Sequence, residues 1–243
     1  YDRTIAEHPE DVVAKAGRAE TLRAMGQHQE ALAAYDRTIA EHPEDVVAKA
    51  GRAEMLRAMG RHQEALAAYD RTIAEHPENV VARNGRAETL RAMGRHQEAL
   101  LAYEHTIAVW PSDTFAKNGM ACTLLQLGLF EDALRTVNVE NPTTFGDWIS
   151  WHIKGMVFLK QRRTDEAIEV FRRGLVESHR EHKRYFASAL AVAQLRAGQS
   201  AAAAQSLAEL DIADDAPSVT LIRLHVAGIS EDCAATEEIA HRL

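Results

Sequence analysis

Ten residues, YDRTIAEHPE, begin at Tyr1 and return letter for letter at Tyr35 and Tyr69. A worn copy, YEHTIAVWPS, begins at Tyr103. The starts are 34 residues apart. A chain written this way folds unit by unit, because each copy carries the same local preferences and meets its neighbours through the same surface. Val12–Asp45 and Val46–Asn79 differ only at Thr21/Met55, Gln27/Arg61 and Asp45/Asn79. Val80–Asp113 is a third copy with more changes. A fourth starts at Thr114 and is shortened before Pro142.

Each unit predicts two helices. In the second copy these are VVAKAGRAEMLRAMG and HQEALAAYDRTIAEHP. Val47, Ala50, Ala53, Leu56 and Met59 step by threes and fours, as one helical face requires. Gly60 follows the last of them, where a left-handed backbone costs glycine least. Ala65, Leu66, Tyr69, Thr72 and Ile73 mark the second face, and Pro77 ends that helix. Small Ala53 and Ala65 allow close approach, with Tyr69 filling the space beside them. One such hairpin cannot bury its apolar stripe alone, whereas stacked neighbours can. The expected interior therefore holds Tyr35, Tyr69 and Tyr103 in register. The abundance of alanine, leucine, glutamate and arginine, against six prolines and thirteen glycines, supports an all-α reading.

The spacing also resembles a known family. Ala53, Leu56, Gly60, Ala65, Tyr69, Ile73 and Pro77, with equivalents one copy earlier and later, are similar to the signature of tetratricopeptide repeats. The resemblance implies a right-handed superhelical solenoid of antiparallel helix pairs. Lys49 and Arg52 depart from it, standing where the family usually has large apolar residues, so thinner packing is expected at the start of the first helix. Residues 1–11 read as the second half of a truncated repeat, which suggests that the natural protein continues upstream. Residues 12–142 read as regular repeats. Residues 143–243 read as degenerate repeats and a C-terminal helical cap, continuous with the first part. There Trp151, Gly155, Phe158, Ala167, Phe171 and Leu175 hold the spaced positions, Arg162 replaces the turn glycine, and Ala191, Gly198, Ala203 and Leu207 fit more loosely.

Composition narrows the chemistry. A net charge of −8 gives no sign of a generally nucleic-acid-binding chain. The locally basic stretch from Lys160 interleaves its bases with Asp165, Glu166, Glu169, Glu177 and Glu181, as solvated helix faces do. The RNA-reading pentatricopeptide pattern has a longer period, so a nucleic-acid partner is not expected. Two cysteines without metal spacing suit a reduced, cytoplasmic setting, and no apolar run is long enough to span a membrane. Phosphate-loop, dinucleotide, zinc-protease and serine-hydrolase motifs are absent. His28, His62 and His96 follow turns, and His8, His42 and His76 precede prolines, so duplication accounts for them. His179 and His182 have ligand spacing without carboxylate or thiolate company. No catalytic residue, metal or cofactor is expected.

A partner-binding groove is what the resemblance implies, lined by the first helix of each unit. Its residues would be Val13, Ala16, Glu20 and Arg23, then Val47, Ala50, Glu54 and Arg57, then Val81, Asn84, Glu88 and Arg91. The series continues with Phe115, Asn118, Cys122 and Leu125, then Ile149, His152, Met156 and Leu159. The divergent members Asn84, Glu88, Arg91, Phe115, Asn118, Leu125, His152 and Met156 are the candidate site. Asparagine suits a peptide backbone and arginine a carboxylate. The competing reading is that each Glu and Arg pairs along its own helix and binds nothing. The Lys/Asn clamp by which some family members grip a C-terminal carboxylate is not reproduced. The expected function is a non-enzymatic scaffold holding a protein or peptide segment. The alternative is a sensor or assembly arm of a larger signalling or catalytic protein whose effector domain lies outside this chain. Self-association through exposed repeat ends is a further expectation.

Overall fold

The structure is a computed structural model, and it describes residues 11–138 and 144–208 together with residues 1, 4, 8 and 142. The expected truncated half-repeat before Asp11 and the C-terminal cap beyond Ala208 fall largely or wholly outside the described residues. Twelve helices are described: α1 (Val12–Ala24), α2 (His28–Glu41), α3 (Val46–Ala58), α4 (His62–Glu75), α5 (Val80–Ala92), α6 (His96–Val109), α7 (Thr114–Gln126), α8 (Phe130–Thr136), α9 (Phe145–Lys160), α10 (Thr164–Glu177), α11 (Arg180–Arg196) and α12 (Ser200–Ala208). No strand occurs among the described residues. The chain divides into two compact units, Tyr1–Ala116 and Lys117–Leu243.

In the first unit each helix packs on the next, and the first helices α1, α3 and α5 also touch their neighbours in that row. The local cause is a repeated pair of stops. Asp11, Asp45 and Asn79 each accept a hydrogen bond on the side-chain oxygen from the backbone three residues on, at 2.7–2.9 Å, opening α1, α3 and α5. Gly60 closes α3 at φ +73°, while the amide of Arg61 donates to the carbonyl of Leu56 at 2.9 Å.

Between those stops the interior forms largely as the periodicity predicts. Ala53, Leu56, Ala65, Leu66, Tyr69 and Thr72 are buried, and Tyr35 and Tyr103 occupy the equivalent buried places. One assignment is corrected. Val47 points to solvent, and the inner face of α3 is instead made by Ala48, Ala50, Ala53, Met55 and Leu56. The buried Thr72 hydroxyl donates to the carbonyl of Ala68, which spares it the cost of an unpaired polar group.

The tyrosines join one helix pair to the next. Tyr69 donates to Glu54 of its own pair at 2.9 Å, and its ring lies against Gly85 of the following first helix. Tyr35 meets Gly51 in the same way, where an added Cβ would stand 2.5 Å from the ring. The two departures from the family pattern are used electrostatically. Lys49 pairs with Glu75 of the same helix pair, and Arg52 reaches back to Asp36 of the preceding one at 2.5 Å.

In the second unit, α9 packs on α10, α10 on α11 and α11 on α12. The ring-on-glycine contact recurs with the opposite chain direction. Phe171 of α10 covers Gly155 of α9, and Phe186 of α11 covers Gly174 of α10. Trp148, Trp151, Phe158, Leu159, Ile168 and Leu190 complete this core. Leu175 is half-buried against it, and the side chain of Leu207 is outside the described residues.

Arg162 takes the turn place that glycine holds elsewhere, and its φ is +61°. A left-handed backbone costs an L-residue roughly 1–2 kcal/mol, partly offset by the larger unfolded-state entropy of glycine. Arg162→Gly is expected to stabilise the protein by about 0.5–1 kcal/mol, read as a higher urea midpoint.

Candidate functional site

The face of the first unit's first helices combines exposed apolar residues with paired charges. Val13, Val47 and Val81 occupy the same place near the start of α1, α3 and α5, and are 80%, 63% and 63% exposed. Phe115, 52% exposed, holds that place in α7. Its helix start is tied down by Asp113, whose Oδ1 accepts from the Phe115 amide at 2.9 Å. The other oxygen of Asp113 accepts from Asn84 Nδ2 at 2.7 Å. Asn84 is thus a buried support for the helix that carries Phe115, and its own Oδ1 is buried with no hydrogen-bond partner.

Two turns further along each helix lies a Glu–Arg pair three residues apart. Arg23 Nε donates to Glu20 at 2.9 Å, Arg57 Nε to Glu54 at 3.0 Å, and Arg91 Nη2 to Glu88 at 2.7 Å. Each carboxylate also accepts from the buried tyrosine of its unit: Tyr35, Tyr69 or Tyr103. Burial deepens along the row. Arg and Glu side chains are 39% and 52% exposed in the first pair, 25% and 31% in the second, and 10% and 12% in the third.

The charge state follows from this surrounding. Burial alone would raise the Glu54 and Glu88 carboxyls, but Arg57 and Arg91 with the tyrosine hydroxyls hold both below the usual carboxylate value. The hydrogen bond from Arg23 does the same for Glu20. Burial, reinforced by the carboxylates, keeps Tyr35 and Tyr69 protonated. The pairs also sense each other, because Arg23 feels Glu54 and Arg57 feels Glu88. The Glu/Arg residues of the expected groove are therefore already partnered along their own helices.

In the second unit the candidate residues are placed differently. Asn118 donates to the Gly146 carbonyl at 2.9 Å and accepts from Ser150 Oγ at 2.6 Å, so it joins α7 to α9. Cys122, Leu125 and Leu159 are buried. Met156 is half-buried against the aromatic core. His152 lies between Phe171 and Phe186, with ring centroids 5.6 and 6.1 Å away.

Desolvation lowers the His152 imidazole to about 4, from 6.5. Because the folded value is depressed, folding favours the neutral ring. Stability is complete above about pH 6.5 and falls as the pH drops towards about 4. The full linkage would be about 3 kcal/mol. His152→Gln is expected to flatten this loss, read by the fluorescence of Trp148 and Trp151 in urea titrations at several pH values.

Sequence reasoning passed over the ring-bearing glycines Gly51 and Gly85 and the caps Asp45 and Asn79. The available signal was a glycine in mid-helix and an Asp or Asn before the first helix, both returning every 34 residues. Among the described residues, no cluster of three or more His, Cys, Asp or Glu could hold a metal ion. No described helix is long and apolar enough to cross a membrane.

The repeated pairs, the bridging tyrosines and the left-handed turn glycines set the terms for comparison with known proteins. The Tetratricopeptide repeat profile matches residues 1–46, 16–80, 51–114 and 153–217. The chain belongs to the tetratricopeptide repeat family. No curated protein matches it. Among solved structures, a tetratricopeptide repeat protein from Parabacteroides merdae is similar over 99% of this chain and 88% of its own, with 15% identity and a TM-score of 0.67. TTC0263, a tetratricopeptide repeat protein of Thermus thermophilus, is similar over 74% of this chain and 98% of its own, with 18% identity and a TM-score of 0.61. PilW, a type IV pilus biogenesis factor, is similar over 83% of this chain and 92% of its own, with 15% identity and a TM-score of 0.63. At these identities the likeness concerns the fold.

Proposed function

We propose that this tetratricopeptide repeat chain is a non-enzymatic scaffold that binds a peptide or protein segment along the exposed face of its first helices. The observation that supports the reading is the apolar side chain left in solvent at one place in successive first helices: Val13, Val47, Val81 and Phe115. Exposed apolar groups aligned in this way gain free energy when a partner covers them. Glu88 and Arg91 border the row as a paired couple, and Asn84 acts as a positioning residue for Phe115 through Asp113. In the second unit, Met156 and His152 are half-buried candidates, while Asn118 and Leu125 are buried.

Selection of a random peptide library on the chain tests this reading. Selected peptides should bind at least about tenfold more weakly to the double variant Val47→Asp, Val81→Asp, a loss expected when buried anchors are removed. Leu101→Asp, which changes an exposed residue on α6, should leave binding unchanged. A library that yields no binder, or binders sensitive to Leu101 but not to the valines, would defeat the proposal.

A further inference from the structure

The outer flank of α6 departs from its sister helices along one stripe. Leu101, His105 and Val109 stand at every fourth residue, one above the other, and all three are exposed, Leu101 at 65% and Val109 at 53%. The same places hold Ala33, Arg37 and Glu41 in α2, Ala67, Arg71 and Glu75 in α4, and Glu169, Arg173 and Glu177 in α10. Each of those stripes turns an arginine and a glutamate to water, whereas α6 leaves two aliphatic side chains there. We infer that this stripe joins two copies of the chain, α6 beside α6 and running the same way about a two-fold axis. The contact is separate from the first-helix face and stands whether or not that face takes a peptide.

Charge left without a partner points to a second copy as the occupant. In the earlier copies of the repeat, Lys15 pairs with Glu41 and Lys49 with Glu75. Arg83 stands in the lysine's place, but Val109 stands in the glutamate's. The Arg83 guanidinium instead donates to the Pro77 carbonyl at 2.7 Å, meets His105 Nδ1 at 3.2 Å and lies over the Trp110 ring. Asp36 and Asp70 pair with Arg52 and Arg86, each sixteen residues further on. Glu104 stands in the aspartate's place, and the residue sixteen further on is Met120. Glu104 is exposed, and among the described residues neither it nor Arg83 has an ionic partner. The third helix pair thus keeps one cation and one anion, each deprived of its counter-charge by the substitutions that set it apart.

The two charges flank the stripe on opposite edges. Glu41 and Glu75 reach the first helix of their own pair, while Asp36 and Asp70 reach that of the following pair. Arg83 accordingly lies on the own-pair edge of α6 and Glu104 on the other. When two such helices run the same way about a two-fold axis, opposite edges meet. Glu104 of one copy then faces Arg83 of the other, and the pairing occurs twice. When the helices run in opposite ways, like edges meet, and the two Glu104 carboxylates would repel. Charges on the edges of an apolar seam set helix orientation in this manner.

The seam follows from the same symmetry. Leu101 meets Leu101 of the other copy, His105 meets His105 and Val109 meets Val109, which covers the aliphatic side chains left wet in the single chain. A self-complementary patch of this kind closes at two copies and leaves no further contact of its type open. The stripe is short, so the dimer is of the weak, reversible class. In α2, α4 and α10 the same association would bury arginine beside arginine and glutamate beside glutamate, which confines it to α6.

Sedimentation equilibrium of the full chain tests this, with helical circular dichroism to check the fold of each variant. The mass should climb towards that of a dimer as the concentration rises to about 1 mM, the range in which a small interface fills. The triple variant Leu101→Ala, His105→Arg, Val109→Glu gives α6 the stripe of α4, which folds in the same setting. It should weaken association at least about tenfold, as when interface anchors are lost. Arg83→Glu and Glu104→Arg should each weaken it about tenfold, and the two together in one chain should restore most of the loss. A chain that stays monomeric, association that survives the triple variant, or a double charge variant as weak as the single ones would overturn the inference. A Glu104→Arg chain that associates as well as the native one would mean that like edges meet, and would overturn it too.

Discussion

Tyr69→Ala is expected to destabilise the protein by about 3–5 kcal/mol, the range for removing a large aromatic from a packed core. Tyr69 is almost wholly buried, and its ring spans two helix pairs. The hydroxyl donates to Glu54, and the ring edge lies where Gly85 leaves room. Alanine would leave a cavity at the junction and remove a donor from a half-buried carboxylate. Tyr69→Phe keeps the ring and removes only that hydrogen bond, so its cost should be about 1 kcal/mol. Urea denaturation followed by helical circular dichroism separates these values. Similar costs for both variants would show that the hydroxyl, and not the ring, carries the junction.

Glu88→Ala should be costly for a different reason. Glu88 and Arg91 are the most buried of the three pairs, and removing one member of a buried pair costs about 3–5 kcal/mol because the other keeps its charge in a poor solvent. The matching change at the surface, Glu20→Ala, takes away a pair about half in water and should cost less than about 1 kcal/mol. Both carboxyls are held below the usual value, so both respond to acid in the same sense. The Glu88 carboxyl is held below 4.5, so its contribution is present above that value and lost as the pH falls through the folded pKa. Glu88→Ala should therefore weaken the acid sensitivity of folding while lowering stability at neutral pH. Equal costs at Glu20 and Glu88 would contradict the gradient of burial along the row.

The helix pairs and their interior were legible because duplication makes local rules repeat. Tyr35, Tyr69 and Tyr103 were placed by period alone, and the turn glycines by their position after the last apolar residue. Val47 was misplaced because the three-to-four spacing of α3 fits two faces, and only neighbouring helices decide which one is covered. Gly51 and Gly85 were missed because a mid-helix glycine has no local purpose; its reason is a ring from the previous pair. The candidate site was legible as a row of positions but not as a set of contacts. Nothing local to Asn118 announces the Gly146 carbonyl, and nothing local to Asn84 announces Asp113. Such bonds depend on how separate helices meet, which residue spacing along one helix does not encode.

Tyr35 and Tyr69 each fill the space left by a glycine in the next helix pair, and the account of the first unit rests on this. Gly85→Ala tests it most directly when made in two backgrounds. In the native chain the new methyl would stand 2.5 Å from the Tyr69 hydroxyl oxygen, and stability should fall by roughly 1–3 kcal/mol, as in other overpacked cores. In the Tyr69→Ala background the space is open, and the better helix propensity of alanine should raise stability by about 0.5–1 kcal/mol. A reversal of sign between the two backgrounds is the predicted result; the same sign and size in both would contradict it.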